Sequence, residues 1–162
     1  MALGVFIAGR YSSTLNSVSL GIMREGYELS MEPHHQLINR SDAFGDTLIE
    51  TILRGADWSL QCDALEYTTG PKNAISQVTG TLGTLGVIGR LGSDVAQSLV
   101  LTSTAGTPAA TSPISLTALK TMLAPNANPR LKFTSELREV PMRFVFFPFD
   151  AGAGVITFFT MT

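Results

Sequence analysis

Residues 56–67 read Ala-Asp-Trp-Ser-Leu-Gln-Cys-Asp-Ala-Leu-Glu-Tyr and carry the clearest secondary-structure signal of the chain. Apolar and polar side chains alternate here with a period of two, which is the period of a strand with one buried face. One face would carry Trp58, Leu60, Cys62 and Ala64, and the other Asp57, Ser59, Gln61 and Asp63. The pattern predicts a strand that packs one face on a core.

Further strands are predicted on both sides of this one. They span residues 17–22, 27–32, 47–53, 94–102, 130–136, 139–149 and 155–161, and a turn at Arg54-Gly55 would separate 47–53 from the central strand. One short α-helix is predicted over 115–123, because Leu116, Leu119, Lys120 and Leu123 follow helical spacing and Pro125 lies beyond the end. The fold class is therefore mainly β, with two antiparallel sheets forming a sandwich or barrel-like core flanked by one helix.

Two segments interrupt the strand pattern. Residues 33–44 are polar and irregular, and Gly45-Asp46 follows them, which predicts a long polar loop near residues 33–46. Glycine recurs at positions 80, 83, 86, 89 and 92, and this series without proline predicts a glycine-rich connection between strands rather than a collagen-like repeat.

Composition sets the broad class of protein. The 162 residues suit a single domain over 1–162, and the 44% apolar and 15% charged residues predict a folded chain. The net charge of −2 comes from scattered residues with no basic stripe, which disfavours tight binding of nucleic acid. A mean hydropathy of +0.24 favours burial of apolar surface against other copies of the chain.

The sequence contains no motif that points to catalysis. His34 and His35 are adjacent and lack the spacing of a metal site, and neither a phosphate-binding loop nor a G-x-S-x-G elbow occurs. Cys62 is the only cysteine, so the chain forms no internal disulfide, and its apolar neighbours predict burial. We expect no enzyme activity, no cofactor, no metal, no secretory signal and no membrane span.

Several stretches together resemble the tail tube proteins of long-tailed phages. The first are Ser19-Leu20-Gly21, the segment 25–30 (Glu-Gly-Tyr-Glu-Leu-Ser), the segment 42–47 (Asp-Ala-Phe-Gly-Asp-Thr) and Ile52-Leu53-Arg54-Gly55. The later part, with 99–102, 105–108, the predicted helix and the strands 143–149 and 155–160, is also similar to that family. The resemblance covers nearly the whole chain and consists of turns and strands rather than chemical motifs.

The resemblance implies a structural subunit that forms hexameric rings, which stack into a tube through which DNA passes during ejection. It also implies tape measure, terminator and baseplate or tip proteins as partners, a place in the virion, and assembly in the host cytoplasm. The segment near residues 33–44 would then contact a neighbouring subunit or ring. The interface residues that the resemblance implies are Pro33, His34, His35, Gln36, Asn39, Arg40, Asp42 and Phe44.

Other functions stay open from the sequence alone. A head-to-tail connector, a tail terminator or a secretion-tube ring protein would share the same β architecture. A terminator ring stops after one layer, whereas a tube subunit propagates because its two ring faces are complementary. An enzyme or a ligand-binding β-barrel would instead require an enclosed pocket with converging polar groups.

Overall fold

The computed structural model describes residues 11–39, 48–79, 89–104, 115–127, 129–130, 139–150, 152 and 155–162. The described helices are α1 (Thr69–Thr79) and α2 (Gly92–Val95). The described strands are β1 (Tyr11–Leu15), β2 (Val18–Ser19), β3 (Met23–Asn39), β4 (Leu48–Ala64), β5 (Gln97–Ser103), β6 (Leu116–Leu123), β7 (Val140–Phe146), β8 (Phe149–Asp150), β9 (Ile156–Thr157) and β10 (Thr160–Met161).

The prediction of a mainly β fold is confirmed, and its two antiparallel sheets are unequal in size. The larger sheet has eight strands in the order β2-β1-β5-β6-β7-β4-β3, with β10 added to β6, and the smaller consists of β8 and β9. The large sheet is not a closed barrel, because among the described strands those at its two ends form no backbone ladder with each other. Its two ends meet through side chains, since the Tyr27 hydroxyl on β3 lies 2.7 Å from Ser13 Oγ on β1.

The core lies on the concave face of this sheet. Strand alternation places one side chain in two against the core, and the fully or almost fully buried set includes Leu15, Leu20, Leu60, Leu99, Ala118, Met142 and Phe144. Cys62 is buried among them, as its neighbours predicted. The alternation in residues 56–64 therefore identified the core face of β4 correctly.

The predicted helix over 115–123 is wrong, because Leu116–Leu123 forms the central strand β6. This strand pairs with β5 on one side and β7 on the other. Leu119 and Lys120 are both exposed at a register irregularity opposite β5, and this irregularity shifts the alternation by one residue. A strand with an extra residue imitates the spacing of a helix, which explains the error.

Helix α1 covers a segment for which the sequence showed no clear signal. Pro71 stands in its first turn, where a missing N–H costs no helical hydrogen bond. A Cβ at Gly70 would lie 2.1 Å from the Ser19 carbonyl oxygen, so only glycine permits this close approach of α1 to β2. The buried Gln77 then joins α1 to the sheet: its Nε2 donates to Thr121 O at 3.0 Å, and Leu123 N donates to its Oε1 at 3.2 Å.

The long polar loop near residues 33–46 is wrong for its first half. β3 runs without interruption through Pro33 to Asn39, and residues 40–47 lie outside the described residues. Proline is tolerated in β3 because this strand is at the edge of the sheet, where one side of the backbone has no ladder partner to satisfy. The predicted turn at Arg54-Gly55 is also wrong, since both residues lie within the continuous strand β4.

The carboxyl-terminal strands agree in part with the prediction. Within the predicted strand 139–149, Val140–Phe146 forms β7 and Phe149 begins β8, which pairs with β9. Residues 155–161 divide into β9 and β10, and β10 pairs with β6 instead of continuing β9. Strand character begins at Gln97, after the short α2, and not at Asp94. The predicted strand over 130–136 and most of the glycine series, residues 80–88, lie outside the described residues.

Candidate assembly interface

Strands β3 and β4 extend beyond the rest of the sheet as a two-stranded arm, which we call the hairpin arm (residues 31–39 and 48–58). β7 pairs with β4 only from Ser59 to Ala64, whereas β3 pairs with β4 out to Asn39 and Leu48. Nine residues of a strand span about 30 Å at 3.3 Å per residue. Among the described strands, the arm therefore has a ladder only between its own two strands, and both of its outer edges are open.

One face of the arm continues the core face of the sheet outward. The cross-strand pairs Leu29↔Leu60 and Met31↔Trp58 lie on this face at the base, and Pro33↔Ala56 follows them. Farther out, the same face carries Leu37 and Leu53, whose residues are 60% and 64% exposed, together with His35, the partner of Leu53. An apolar stripe thus begins in the core and ends in solvent, which is the usual signature of a surface that is covered by a partner.

The opposite face of the arm is polar and held by side-chain hydrogen bonds. His34 Nε2 lies 2.9 Å from Asp57 Oδ2, and nearer the base Ser30 Oγ lies 2.8 Å from Ser59 Oγ. Cross-strand pairs of this kind stabilise a ladder by a few tenths of a kcal/mol to about 1 kcal/mol each. They rigidify the arm at modest energy and leave its apolar face free.

A bulge in β4 changes which face of the arm the side chains beyond it point to. His34 pairs with Gly55 and His35 with Leu53, so Arg54 is the extra residue of β4. The Arg54 guanidinium donates a hydrogen bond to the Gln36 side-chain oxygen across the two strands. The bulge keeps Leu53 on the apolar face and places Ile52, also half exposed, on the other. The outer arm therefore presents apolar side chains on both faces.

An open cavity of about 820 Å³ lies at the base of the arm, beside the edge of β4 that β7 leaves uncovered. We call it the notch. Its apolar lining residues are Met31, Trp58, Val145, Phe146, Phe147, Pro125, Pro148 and Phe158, and its charged ones are Glu32, Asp57 and Arg143. Trp58 and Phe146 each make an edge-to-face contact with Phe159, at centroid distances of 4.9 and 5.6 Å. These contacts fix the walls of the notch.

The structure brings four of the predicted interface residues together on the arm. Pro33, His34, His35 and Gln36 are consecutive, exposed residues of β3. Asn39 is the last residue of β3, and the predictions for Arg40, Asp42 and Phe44 fall outside the described residues. No structural observation tests the interface role of these eight residues, which stays a prediction.

Sequence reasoning missed the apolar residues of the arm as interface candidates. Met31, Leu37, Ile52 and Leu53 are all about half exposed or more, and none was predicted to lie at an interface. Ile52 and Leu53 stood in a predicted strand whose alternation with Thr51 and Arg54 assigns no consistent core face. Apolar residues in a strand without a core face are the signal that indicates an interface.

Two titratable groups lie at the root of the arm, the partly buried Tyr27 and the buried Cys62. Burial raises the pKa of the Tyr27 phenol to about 12, against a smaller opposing effect of its hydrogen bond with Ser13. Burial also raises the pKa of the Cys62 thiol to about 12, and the nearby Asp63 carboxylate adds to this. Cys62 therefore stays a neutral, unreactive thiol at physiological pH.

In the described part of the chain, no group of three or more His, Cys, Asp or Glu side chains could hold a metal ion, and no helix is long and apolar enough to cross a membrane.

Comparison with known proteins adds a fold likeness. No family model matches the sequence, and no curated protein is significantly similar to it. The tube-terminating cap of the anti-feeding prophage has a similar structure, with a TM-score of 0.53 and 10% identity over all of this chain and 94% of that chain. At this identity the likeness establishes a shared fold.

Two components of an extracellular contractile injection system, PVC, in the extended state are less similar. The sheath/tube terminator has a TM-score of 0.49 and 9% identity over all of this chain and 97% of its own. A chain of the sheath-tube complex has a TM-score of 0.48 and 9% identity over 94% of this chain and 88% of its own.

Proposed function

We propose that this chain is a structural subunit of a phage-tail-like tube assembly, in which the hairpin arm joins each subunit to another. The observation that carries the proposal is an arm whose two backbone edges have no partner among the described strands, with an exposed apolar stripe that extends from the core. A two-stranded ribbon is marginally stable in water by itself. Burial of the stripe against another copy would stabilise the arm and the assembly together.

The backbone of the arm is suited to a ring. β3 leaves one edge open and β4 the other, so the edges of neighbouring arms can pair in the same sense around a ring. Such a ring satisfies the open N–H and C=O groups of every arm. The resemblance to tail tube proteins and the shared fold with a tube-terminating cap support this arrangement. We expect six copies in each ring, as the resemblance implies.

Within this class we favour a tube subunit, whose rings stack and form a channel for DNA. Its place is then a virion or a related particle, with tape measure, terminator and baseplate or tip proteins as partners, and it has no catalytic role. A net charge of −2 suits a conduit that does not hold the DNA phosphates.

A second candidate function is that of a tail terminator, a ring that stops after one layer. The observation that favours it is the structural likeness to a tube-terminating cap. The two candidates use the same ring contact, and they differ in whether the two faces of the ring are complementary.

Negative-stain electron microscopy of the purified chain at rising concentration tests the proposal. Hollow tubes of uniform width are the expected result for a tube subunit, and isolated rings that never stack are expected for a terminator. A chain that stays a dispersed monomer at every concentration contradicts both.

A further inference from the structure

The notch at the base of the hairpin arm has walls that accept an apolar side chain. Trp58 and Phe158 form one part of the wall, and Phe147 and Pro148 form the part where the chain leaves β7. The cavity of about 820 Å³ is open to solvent and falls within the 300–1,000 Å³ typical of binding sites. Rigid aromatic walls around an open cavity are typical of a site that receives an apolar anchor.

The same arm carries apolar anchors beyond the bulge at Arg54. Leu37 and Leu53 are 60% and 64% exposed and lie on one face, with Ile52 on the other face at the same level. We call residues 34–37 and 52–55 the tip, although the ladder continues beyond them to Asn39↔Leu48. Its leucines are of the size that an aromatic-walled cavity buries, and their burial there would remove apolar surface from water.

The tip of an arm cannot enter the notch of its own chain. Leu53 lies five residues along β4 from Trp58, which is about 16 Å in a strand at 3.3 Å per residue. The two strands are paired over this whole distance, so the arm has no joint at which it could fold back. An occupant with these leucines must therefore belong to a second copy.

The charges of the two surfaces are complementary. The notch carries two carboxylates, Glu32 and Asp57, against the one guanidinium of Arg143. Arg143 Nε is engaged by Ser59 Oγ at 3.3 Å, and Asp57 is engaged by His34. The tip carries the exposed guanidinium of Arg54. Opposite net charge at the rim favours encounter and orientation, while the apolar contact supplies the affinity.

We propose that the tip of one copy inserts into the notch of the next copy, with Leu53 and Leu37 against the aromatic walls and Arg54 near the acidic rim. This proposal rests on the proposed function, because it names the partner surface of the arm. The contact joins two different patches of the same chain, so it is heterologous and generates rings or open stacks.

Photo-crosslinking from the tip tests this contact. A benzoylphenylalanine in place of Leu53 should crosslink, in the assembled protein, to the peptide that contains Phe147 and Pro148 or to that containing Phe158 of another copy. The same amino acid in place of Leu119, which is 51% exposed on β6, is the matched control and should give no such product. Crosslinks from tip to tip, crosslinks to any other surface, or the absence of a crosslink in assembled protein overturns the proposal.

Electron microscopy of the same sample separates the two proposals. Rings or tubes whose crosslinks lie outside the notch contradict the tip-to-notch contact and leave the proposed function intact. A wild-type chain that never assembles contradicts both proposals.

Mixing two variants gives a second test. Leu53→Asp disrupts the apolar surface of the tip and leaves the notch unchanged. Pro148→Arg adds a cation to the exposed rim of the notch and leaves the tip unchanged. Each variant alone should lose self-association by about tenfold or more, the usual size of a hot-spot effect. Their mixture should form a dimer of one copy of each, detected by sedimentation velocity. A mixture that stays monomeric, although circular dichroism shows both variants folded, overturns the proposal.

Discussion

The body of the sheet and the hairpin arm are built from the same two strands, yet they differ in what surrounds them. In the body, β4 has a ladder partner on each side, and Leu60 and Cys62 are only 1% and 3% exposed. In the arm, β3 is the one partner of β4 among the strands that the structure describes, and Leu53 is 64% exposed. The apolar side chains of this alternation are therefore buried when the body folds, whereas in the arm they stay exposed and are available for assembly.

The difference implies a division of the folding energy. Side chains of the body lose almost all of their exposure on folding, at about 25 cal/mol per Å² of apolar surface. The apolar stripe of the arm gains this stabilisation only when another surface covers it. Substitutions in the body should therefore change the stability of the isolated chain, and substitutions in the arm should change its association.

The largest effect on stability is expected from Phe144→Ala in the body. Phe144 is fully buried on β7, opposite Leu60 of β4 and Leu123 of β6, and its removal should lower the free energy of unfolding by about 3–5 kcal/mol. Urea denaturation of the dilute monomer measures this loss. Leu53→Ala in the arm is the matched control and should change the value by less than about 0.5 kcal/mol. Equal losses of unfolding free energy in both variants would contradict the division of the chain into a stabilising body and an exposed arm.

A smaller loss is expected from Gln77→Ala, which removes a polar support of the body. The Gln77 amide satisfies Thr121 O, at the last pair of β6 with β5, and Leu123 N, which lies beyond that pair. Two buried backbone groups would lose their partners, at a cost of about 1–2 kcal/mol each, so a loss of about 2–4 kcal/mol is expected. Thermal unfolding checks this against Ser76→Ala on the same helix, which should be nearly neutral. A Gln77→Ala variant as stable as wild type would mean that water replaces the amide.

The buried thiol predicts how the body responds to alkali. The pKa of Cys62 is raised from 9.0 to about 12 in the folded chain, so folding favours the protonated thiol. Its contribution is complete below pH 9 and is lost as the pH rises from 9 through about 12. Cys62→Ala should therefore lose less stability than wild type between pH 9 and 12, as measured by urea midpoints across this range. Parallel pH profiles of the two proteins would contradict the burial of the thiol.

The smallest effect on stability, and the largest on assembly, is expected from Leu53→Asp. The side chain is exposed in the isolated chain, so the free energy of unfolding should change by less than about 0.5 kcal/mol. Electron microscopy and sedimentation velocity should show that rings and tubes are lost, because a carboxylate would enter an apolar contact. Leu119→Asp on the body is the control and should assemble. Normal assembly of Leu53→Asp would remove the arm from the interface.

Sequence reasoning succeeded where one strand obeyed one alternation. Leu60, Cys62 and Ala64 were assigned correctly to the core, because each has a regular partner on β7. It failed at Leu119 and Lys120, since an extra residue in β6 produces the spacing of a helix. A bulge depends on the neighbouring strand, so the local sequence carries no sign of it.

The arm could not be predicted for a similar reason. Its polar residues and Pro33 are typical of a loop, and only their pairing with residues 48–57 makes them a strand. The notch depends on where β7 ends relative to β4, which no local pattern encodes. The residues His34, His35 and Gln36 were placed on a contact segment by resemblance alone. The exposed leucines beside them follow from the structure.

Hydrogen exchange of the free and the assembled chain is the most direct test of the account. In the dilute monomer, amides of residues 31–39 and 48–58 should exchange rapidly, while those of β5, β6 and β7 should be protected. Assembly should then protect the amides of the arm strongly. Protection of the arm that is equal in the monomer and in the assembly, or an arm that stays unprotected in assembled rings, would contradict it.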